Sequence, residues 1–205
     1  MNICLLGDSI LDNAAYTAGE PPVVAHLNRI LGNSGRATLL AVDGSITREV
    51  TGQLRKLPPE ATHIVVSTGG NDALAQQDLL WQSAATAAHA LSRFGEPLQA
   101  LEADCRRLLD GVRATRLPAL CCTIYNGWMD DSARRVVSLA LSLFNDVLFR
   151  LALEYDIPVL DLRRVCTMAC DYANPIEPSG SGGEKIARAI VRALGIAGDR
   201  AEGRR

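Results

Sequence analysis

Five short stretches concentrate the side chains able to do chemistry: Gly7-Asp8-Ser9-Ile10, Asp43-Gly44-Ser45, Gly69-Gly70-Asn71-Asp72, Tyr125-Asn126-Gly127 and Asn174-Pro175-Ile176-Glu177-Pro178-Ser179. The hydroxyl of Ser9 can attack a carbonyl carbon. Three groups can hold the oxyanion that forms: the Ser9 backbone N–H, the Gly44 backbone N–H and the Asn71 side-chain amide. Glycine at 44 lets the backbone approach a reacting carbonyl, and a neutral amide at 71 donates to a developing O⁻ without becoming charged. This is the equipment of acyl transfer. Any one of these stretches is equally what a βα turn needs for its geometry and helix caps; their joint presence is what points to a site.

The elements that must position them follow an α/β pattern, in which short β-branched runs alternate with longer periodic segments around a parallel sheet. The runs predict strands at Asn2–Leu6, Ala37–Val42, His63–Ser67, Ala119–Ile124 and Pro158–Leu162. The periodicity predicts helices near Pro22–Leu31, Arg48–Arg55, Asp72–Ser92, Leu98–Thr115, Ser132–Tyr155 and Ser181–Leu194. In the fifth, Ser132 is the expected N-cap. Its polar stripe includes Asn145, leaving Val137, Leu141, Phe144, Leu148 and Leu151 as the buried face. Parallel strands joined by helices open their C-terminal ends on one edge, where ligands bind, and each of the five stretches lies beyond a strand end. A single domain is expected over residues 1–197, because the punctuation at Gly95–Pro97 marks only a break between two helices, with a polar tail over 198–205.

Composition narrows the partners. The 205 residues are 48% apolar and 21% charged, the proportions of a globular chain, and only 4% aromatic. With 21 Lys and Arg against 23 Asp and Glu, the net charge is −2. No basic field is present to draw in a polyanion, so no nucleic-acid partner is expected. The N-terminus lacks a positive region and a long apolar segment, and Val136–Leu153 carries Asn145, Asp146 and Arg150, so a cytoplasmic protein without a membrane span is expected. The six cysteines lack paired CxxC spacing and are expected as small buried residues; Cys166 and Cys170, four apart, have no further ligands nearby, and no metal or cofactor is expected.

Gly7-Asp8-Ser9-Ile10, Gly44 after the second strand and Gly70-Asn71-Asp72 after the third resemble the first three blocks of the SGNH, or GDSL, hydrolases, and the order and spacing of blocks extend the resemblance from Met1 to about Leu194. The resemblance implies a flavodoxin-like three-layer α/β/α fold with five parallel strands in the order 2-1-3-4-5. It also implies esterase, acetylesterase, thioesterase or lysophospholipase activity, with Ser9 as nucleophile and Gly44 and Asn71 in the oxyanion hole. The family's last block has an Asp and, three residues on, a His that serves as general base. Here those places hold Asn174 and Glu177.

The chain has three histidines. His63 opens the third strand, some ~13 Å from its C-terminal end at about 3.3 Å per residue. His26 lies in the first helix, and His89 in a helix of the segment after Asn71 that can fold over the site; structural roles are favoured for all three. That leaves Glu177 as a base or a bystander; as the base, its pKa is raised by burial and its carboxylate is held by a hydrogen bond donated from Asn174. Two other readings stay open: a weakened or inactive relative that binds a small acyl or sugar ligand, and a different chemistry on the same scaffold. Asp8 is expected as a turn or capping residue, Asp72 as the cap of the helix after Asn71, and Asp12 and Asn13 as pocket-facing or solvated. Tyr125, Asn126 and Trp128 are expected to shape the pocket of a small-molecule ester or acyl substrate, Trp128 as an apolar wall.

Overall fold

The structure, a computed structural model, describes residues 1–196; the expected tail over 198–205 lies outside them. The first strand, β1 (Asn2–Gly7), is buried along its whole length, as a central strand covered on both faces must be. It pairs in parallel with β2 (Arg36–Leu39) on one side and β3 (His63–Ser67) on the other. Beyond β3 lie β4 (Ala119–Cys122) and β5 (Val159–Leu160), so the order is 2-1-3-4-5 and every pairing is parallel.

Alternation along β1 sorts the helices into two layers. Ile3 and Leu5 face a core shared with α1 (Val23–Leu31) and α7 (Gly180–Ala193). Cys4 and Leu6 face Val50 of α2 (Thr47–Leu54) and Leu108 and Val112 of α5 (Gly95–Thr115). A third cluster joins α5 to α6 (Asp131–Glu154) through Leu101, Leu109, Phe144 and Leu151. By length and composition α6 is apolar enough to cross a membrane; here Phe144, Val147, Leu148 and Leu151 are buried in the core.

Several expected boundaries shift for identifiable reasons. The second strand ends at Leu39 because the N–H groups of Leu40 and Ala41 both converge on the Leu5 carbonyl, at 2.8 and 2.7 Å, which breaks the ladder. The fourth stops at Cys122 because the Ile124 N–H is taken by the side chain of Asn145 at 2.8 Å. Asn145, expected in the polar stripe, is buried and returns a bond to the Ile124 carbonyl at 2.9 Å. The N-cap of α6 is Asp130, not Ser132; its carboxylate accepts from the Ser132 and Ala133 N–H groups. The single helix expected over Asp72–Ser92 is instead α3 (Gly70–Leu74), a 3-10 turn at Gln77–Leu80 and α4 (Ala87–Ser92). Thr86 ends any continuity by capping α4, accepting from the His89 N–H at 3.0 Å. Cys170 is exposed, against expectation.

Candidate active site

Ser9 lies two residues past β1, between the β2 and β3 sides of the sheet, at the point where the strand order reverses and a crevice opens. Gly7 allows the chain to reach it. Its φ is +139°, and a Cβ there would fall 1.9 Å from the Ser67 carbonyl oxygen, so only glycine lets β1 and β3 stay paired. The Asp8 carbonyl then accepts from Leu11 and Asp12, turning the chain so that Ser9 sits on the edge, 7% exposed.

Three loops are tied together beneath it. Gln53 of α2 accepts from the Gly7 N–H at 2.7 Å and donates to the Gly7 carbonyl at 2.8 Å and to the Ser45 hydroxyl at 3.2 Å. The Asn71 amide donates to the Ser45 carbonyl at 3.0 Å, which leaves its second N–H for another acceptor. Gly44, with φ +79°, is exposed beside Ser45. The Ser9 and Gly44 N–H groups have no hydrogen-bond partner among the described residues. Asp72 caps no helix of its own: its carboxylate accepts from the Thr47 N–H and hydroxyl at 2.9 and 2.8 Å, anchoring the start of α2 to α3.

The far wall is the turn over 172–178. Tyr172 and Pro178 form an isolated bridge, and the Ala173 N–H donates to the Glu177 carbonyl at 2.9 Å. The side-chain oxygen of Asn174 accepts from the Ile176 and Glu177 N–H groups at 3.0 and 2.9 Å. Asn174 therefore orients Glu177 through its backbone; the expected donation to the carboxylate is not formed, and Asn174 itself is exposed. Asn13, buried, reaches across to the Pro178 carbonyl at 3.2 Å and accepts from the Val23 N–H at 2.9 Å. Asp171, fully buried, ties the base of the turn to α7 through Lys185 at 2.6 Å.

Asp8, Ser9, Asn71 and Glu177 line one cavity of about 330 Å³, whose walls are otherwise mostly apolar, among them Leu80, Trp81, Phe94 and Phe144. Gly44 and Asn174 lie outside its lining. Tyr125 and Asn126 line it, but Trp128 does not; its ring is stacked under Arg134, 5.0 Å away, and the wall is Trp81. No histidine lines it among the described residues. His26 is held by the Gly180 carbonyl and Arg29, His63 pairs with Thr62 at the opposite end of β3, and His89 is exposed on α4.

Two carboxyls define the electrostatics. Glu177, 8% exposed, is raised above the usual range by burial; the neighbouring Ser9 hydroxyl acts in the opposite direction, and the charge of Asp43 adds slightly. No hydrogen bond of ordinary geometry joins the Ser9 and Glu177 side chains, and Glu177 Oε2 is buried without a partner. Asp8, 1% exposed, is pushed up to about 7, mainly by burial, with the Ile10 N–H opposing and the charge of Glu177 adding. Reading the sequence missed Gln53, Asp171 and Lys185. Gln53 had one signal: it shares the apolar face of α2 with Val50, where an amide needs a partner.

The strand order, the layers and the turn at the switch point define the SGNH hydrolase fold. The chain belongs to the GDSL-like lipase/acylhydrolase family, whose profile matches residues 5–182. Solved structures share the fold at low identity. A lipase from a goat rumen metagenome, Lip_vut3, is 21% identical with a TM-score of 0.72, covering 94% of this chain and 97% of its own. A phospholipase A1 from Streptomyces albidoflavus NA297 is 17% identical with a TM-score of 0.70, over 95% and 98%. The acetyl xylan esterase AlAXEase is 14% identical with a TM-score of 0.71, over 95% and 100%. No curated protein matches the sequence significantly.

Proposed function

We propose that the chain is a serine-dependent acyl hydrolase in which Ser9 attacks a small carboxylic ester whose acyl group enters the apolar cavity. The observation that carries this reading is the meeting of the Ser9 hydroxyl and the Glu177 carboxyl at one apolar cavity on the switch-point edge. As the Ser9 Oγ–C bond forms, the hydroxyl proton moves to Glu177 and the carbonyl π pair becomes the oxyanion. The free Ser9 and Gly44 N–H groups and the second Asn71 N–H are the donors for it. Collapse breaks the ester C–O bond and the departing alkoxide takes the proton from Glu177. A water then attacks the acyl carbon as it gives a proton to the same carboxylate, and the second collapse breaks the Ser9 Oγ–C bond, the proton passing from Glu177 to Ser9 as the acid leaves.

A carboxylate is a weaker base than imidazole, so turnover orders of magnitude below that of a site with a complete triad is expected. The test is covalent labelling of Ser9 by a fluorophosphonate, read by intact mass, beside hydrolysis of a short p-nitrophenyl ester. Both are expected in the native chain and neither in Ser9→Ala; hydrolysis undiminished by Ser9→Ala would remove Ser9 from the reaction. The absence of a histidine from the cavity favours a second reading, a module that binds an acyl or sugar ligand without turnover. It predicts no labelling, but thermal stabilisation by a short-chain carboxylate or a small sugar.

A further inference from the structure

We infer that Asp8 is a carboxylic acid rather than a carboxylate in the working site, a positioning residue whose ionisation ends the reactivity of Ser9. This rests on the reading of Ser9 and Glu177 just given. Asp8 Oδ1 has a turn-forming role, accepting from the Ile10 N–H at 3.2 Å and the Ser67 hydroxyl at 3.4 Å. Its Oδ2 has none: the atom is buried without a hydrogen-bond partner. It lies against Gly70, next in sequence to Asn71, with 3.4 Å between it and the position a Cβ of Gly70 would take. An ionised carboxylate in such a place requires a cation, and no lysine, arginine or histidine lines the cavity among the described residues. A neutral carboxyl does not.

The other titratable groups that face Asp8 cannot supply that cation. They are Glu177 from the turn before α7, Cys122 at the end of β4 and Tyr125 just past it. From α3, Asp72 is turned away to Thr47. All four are acids. The charge balance of the reaction gives the consequence. With Asp8 protonated, the pair carries one negative charge, on Glu177. When Ser9 attacks, its proton neutralises Glu177 and the charge reappears on the oxyanion, so the site holds one negative charge throughout. With Asp8 ionised it holds two, and the step moves the second charge to the Asn71 side, where Asp8 Oδ2 already stands. Repulsion then opposes the transition state, with no positive side chain to relieve it.

The experiment compares the full chain with Asp8→Asn, which keeps an acceptor for the Ile10 N–H and the Ser67 hydroxyl but cannot ionise. The first readout does not involve catalysis: the carboxyl ¹³C resonance that Asp8→Asn removes is titrated by NMR. A midpoint near 7 is expected, and one below about 5, the ordinary carboxylate range, overturns the inference. The second is the rate of fluorophosphonate labelling of Ser9 between pH 5 and 9. The native chain is expected to lose rate above pH 7, and Asp8→Asn to hold its rate there, so that at pH 9 the variant labels about tenfold faster or more. A native rate that keeps rising through pH 9, or the same alkaline fall in Asp8→Asn, overturns the link to reactivity. If the resonance titrates near 7 while neither protein is labelled at any pH, the protonated Asp8 stands and the Ser9 reading fails.

Discussion

The floor of the cavity, built from the ends of β1, β2 and β3, and its far wall, the turn over 172–178, each bring one of the two side chains proposed to react, Ser9 and Glu177, to the same cavity, but they are held differently. In the floor, polar side chains are spent on fixing other elements: Gln53 on Gly7 and Ser45, Asn71 on Ser45, Asp72 on Thr47. The wall is held almost wholly by its backbone. The Tyr125 hydroxyl donates to the Ile176 carbonyl at 2.6 Å, the Trp128 N–H to the Pro175 carbonyl at 2.8 Å, and Asn13 to the Pro178 carbonyl. A turn gripped by its carbonyls does not depend on the chemistry of the side chain it presents. The family's base position can therefore hold a glutamate while the turn stays in place, whereas the floor has no comparable freedom.

The sharpest way to break this contrast is a change that the floor cannot absorb. Gly7→Ala places a Cβ against the Ser67 carbonyl oxygen of the neighbouring strand, where neither backbone can yield without unpairing β1 from β3. A loss of more than about 4 kcal/mol, or no folded protein, is expected by urea unfolding. Gly44→Ala, at a position with open space and φ +79°, is the control: it costs only about 1–2 kcal/mol, for placing a side chain in the left-handed region. In the wall, Glu177→Gln is expected to leave the turn intact and to slow Ser9 labelling about 10²–10⁴-fold, the usual worth of a general base. Stability should not fall, because the buried, unpartnered Oε2 is replaced by a group with no charge to desolvate. A large loss of stability without loss of labelling would reverse the assignment of chemistry to the wall.

A smaller effect separates the two carboxyls through stability. Asp8 is held at about 7 in the fold, against about 3.9 in an unfolded chain, so the folded state binds the proton more tightly. Its contribution is fully present below about pH 3.9, declines as pH rises and is lost above about pH 7. Relative to Asp8→Asn, the native chain should therefore lose roughly 2–4 kcal/mol between pH 4 and 8, read from urea midpoints at each pH. A stability difference that does not vary with pH would mean that Asp8 is already ionised in the fold.

What is legible in the sequence divides along the same line. The bounds of β3 were readable because an apolar run ends at Gly69-Gly70, and the block order placed Ser9, Asn71 and Glu177 on one edge. The truncation of β2 was not, since it depends on two N–H groups sharing one Leu5 carbonyl, a tertiary event with no residue type to announce it. Asp8 was readable only by half. A turn role explains Oδ1, whereas the isolation of Oδ2 follows from what packs around it. Asn145 shows the same limit: a polar residue within a polar stripe gave no sign that its amide would take over the ladder bonds of β4 at Ile124.

Asn174 offers the finest test, because the two accounts of it predict opposite results for one substitution. If its amide N–H held the Glu177 carboxylate, Asn174→Asp would be damaging, replacing a donor with a second negative charge beside the base. In the structure the working atom is the side-chain oxygen, which accepts from the Ile176 and Glu177 N–H groups, and aspartate supplies that oxygen equally well. Asn174→Asp should therefore label at close to the native rate. Asn174→Ala, which frees both N–H groups at an exposed position, should lose about 1 kcal/mol of stability and only a few-fold in labelling. A rate that falls in Asn174→Asp and not in Asn174→Ala would show that charge near Glu177, and not the shape of its turn, is what position 174 controls.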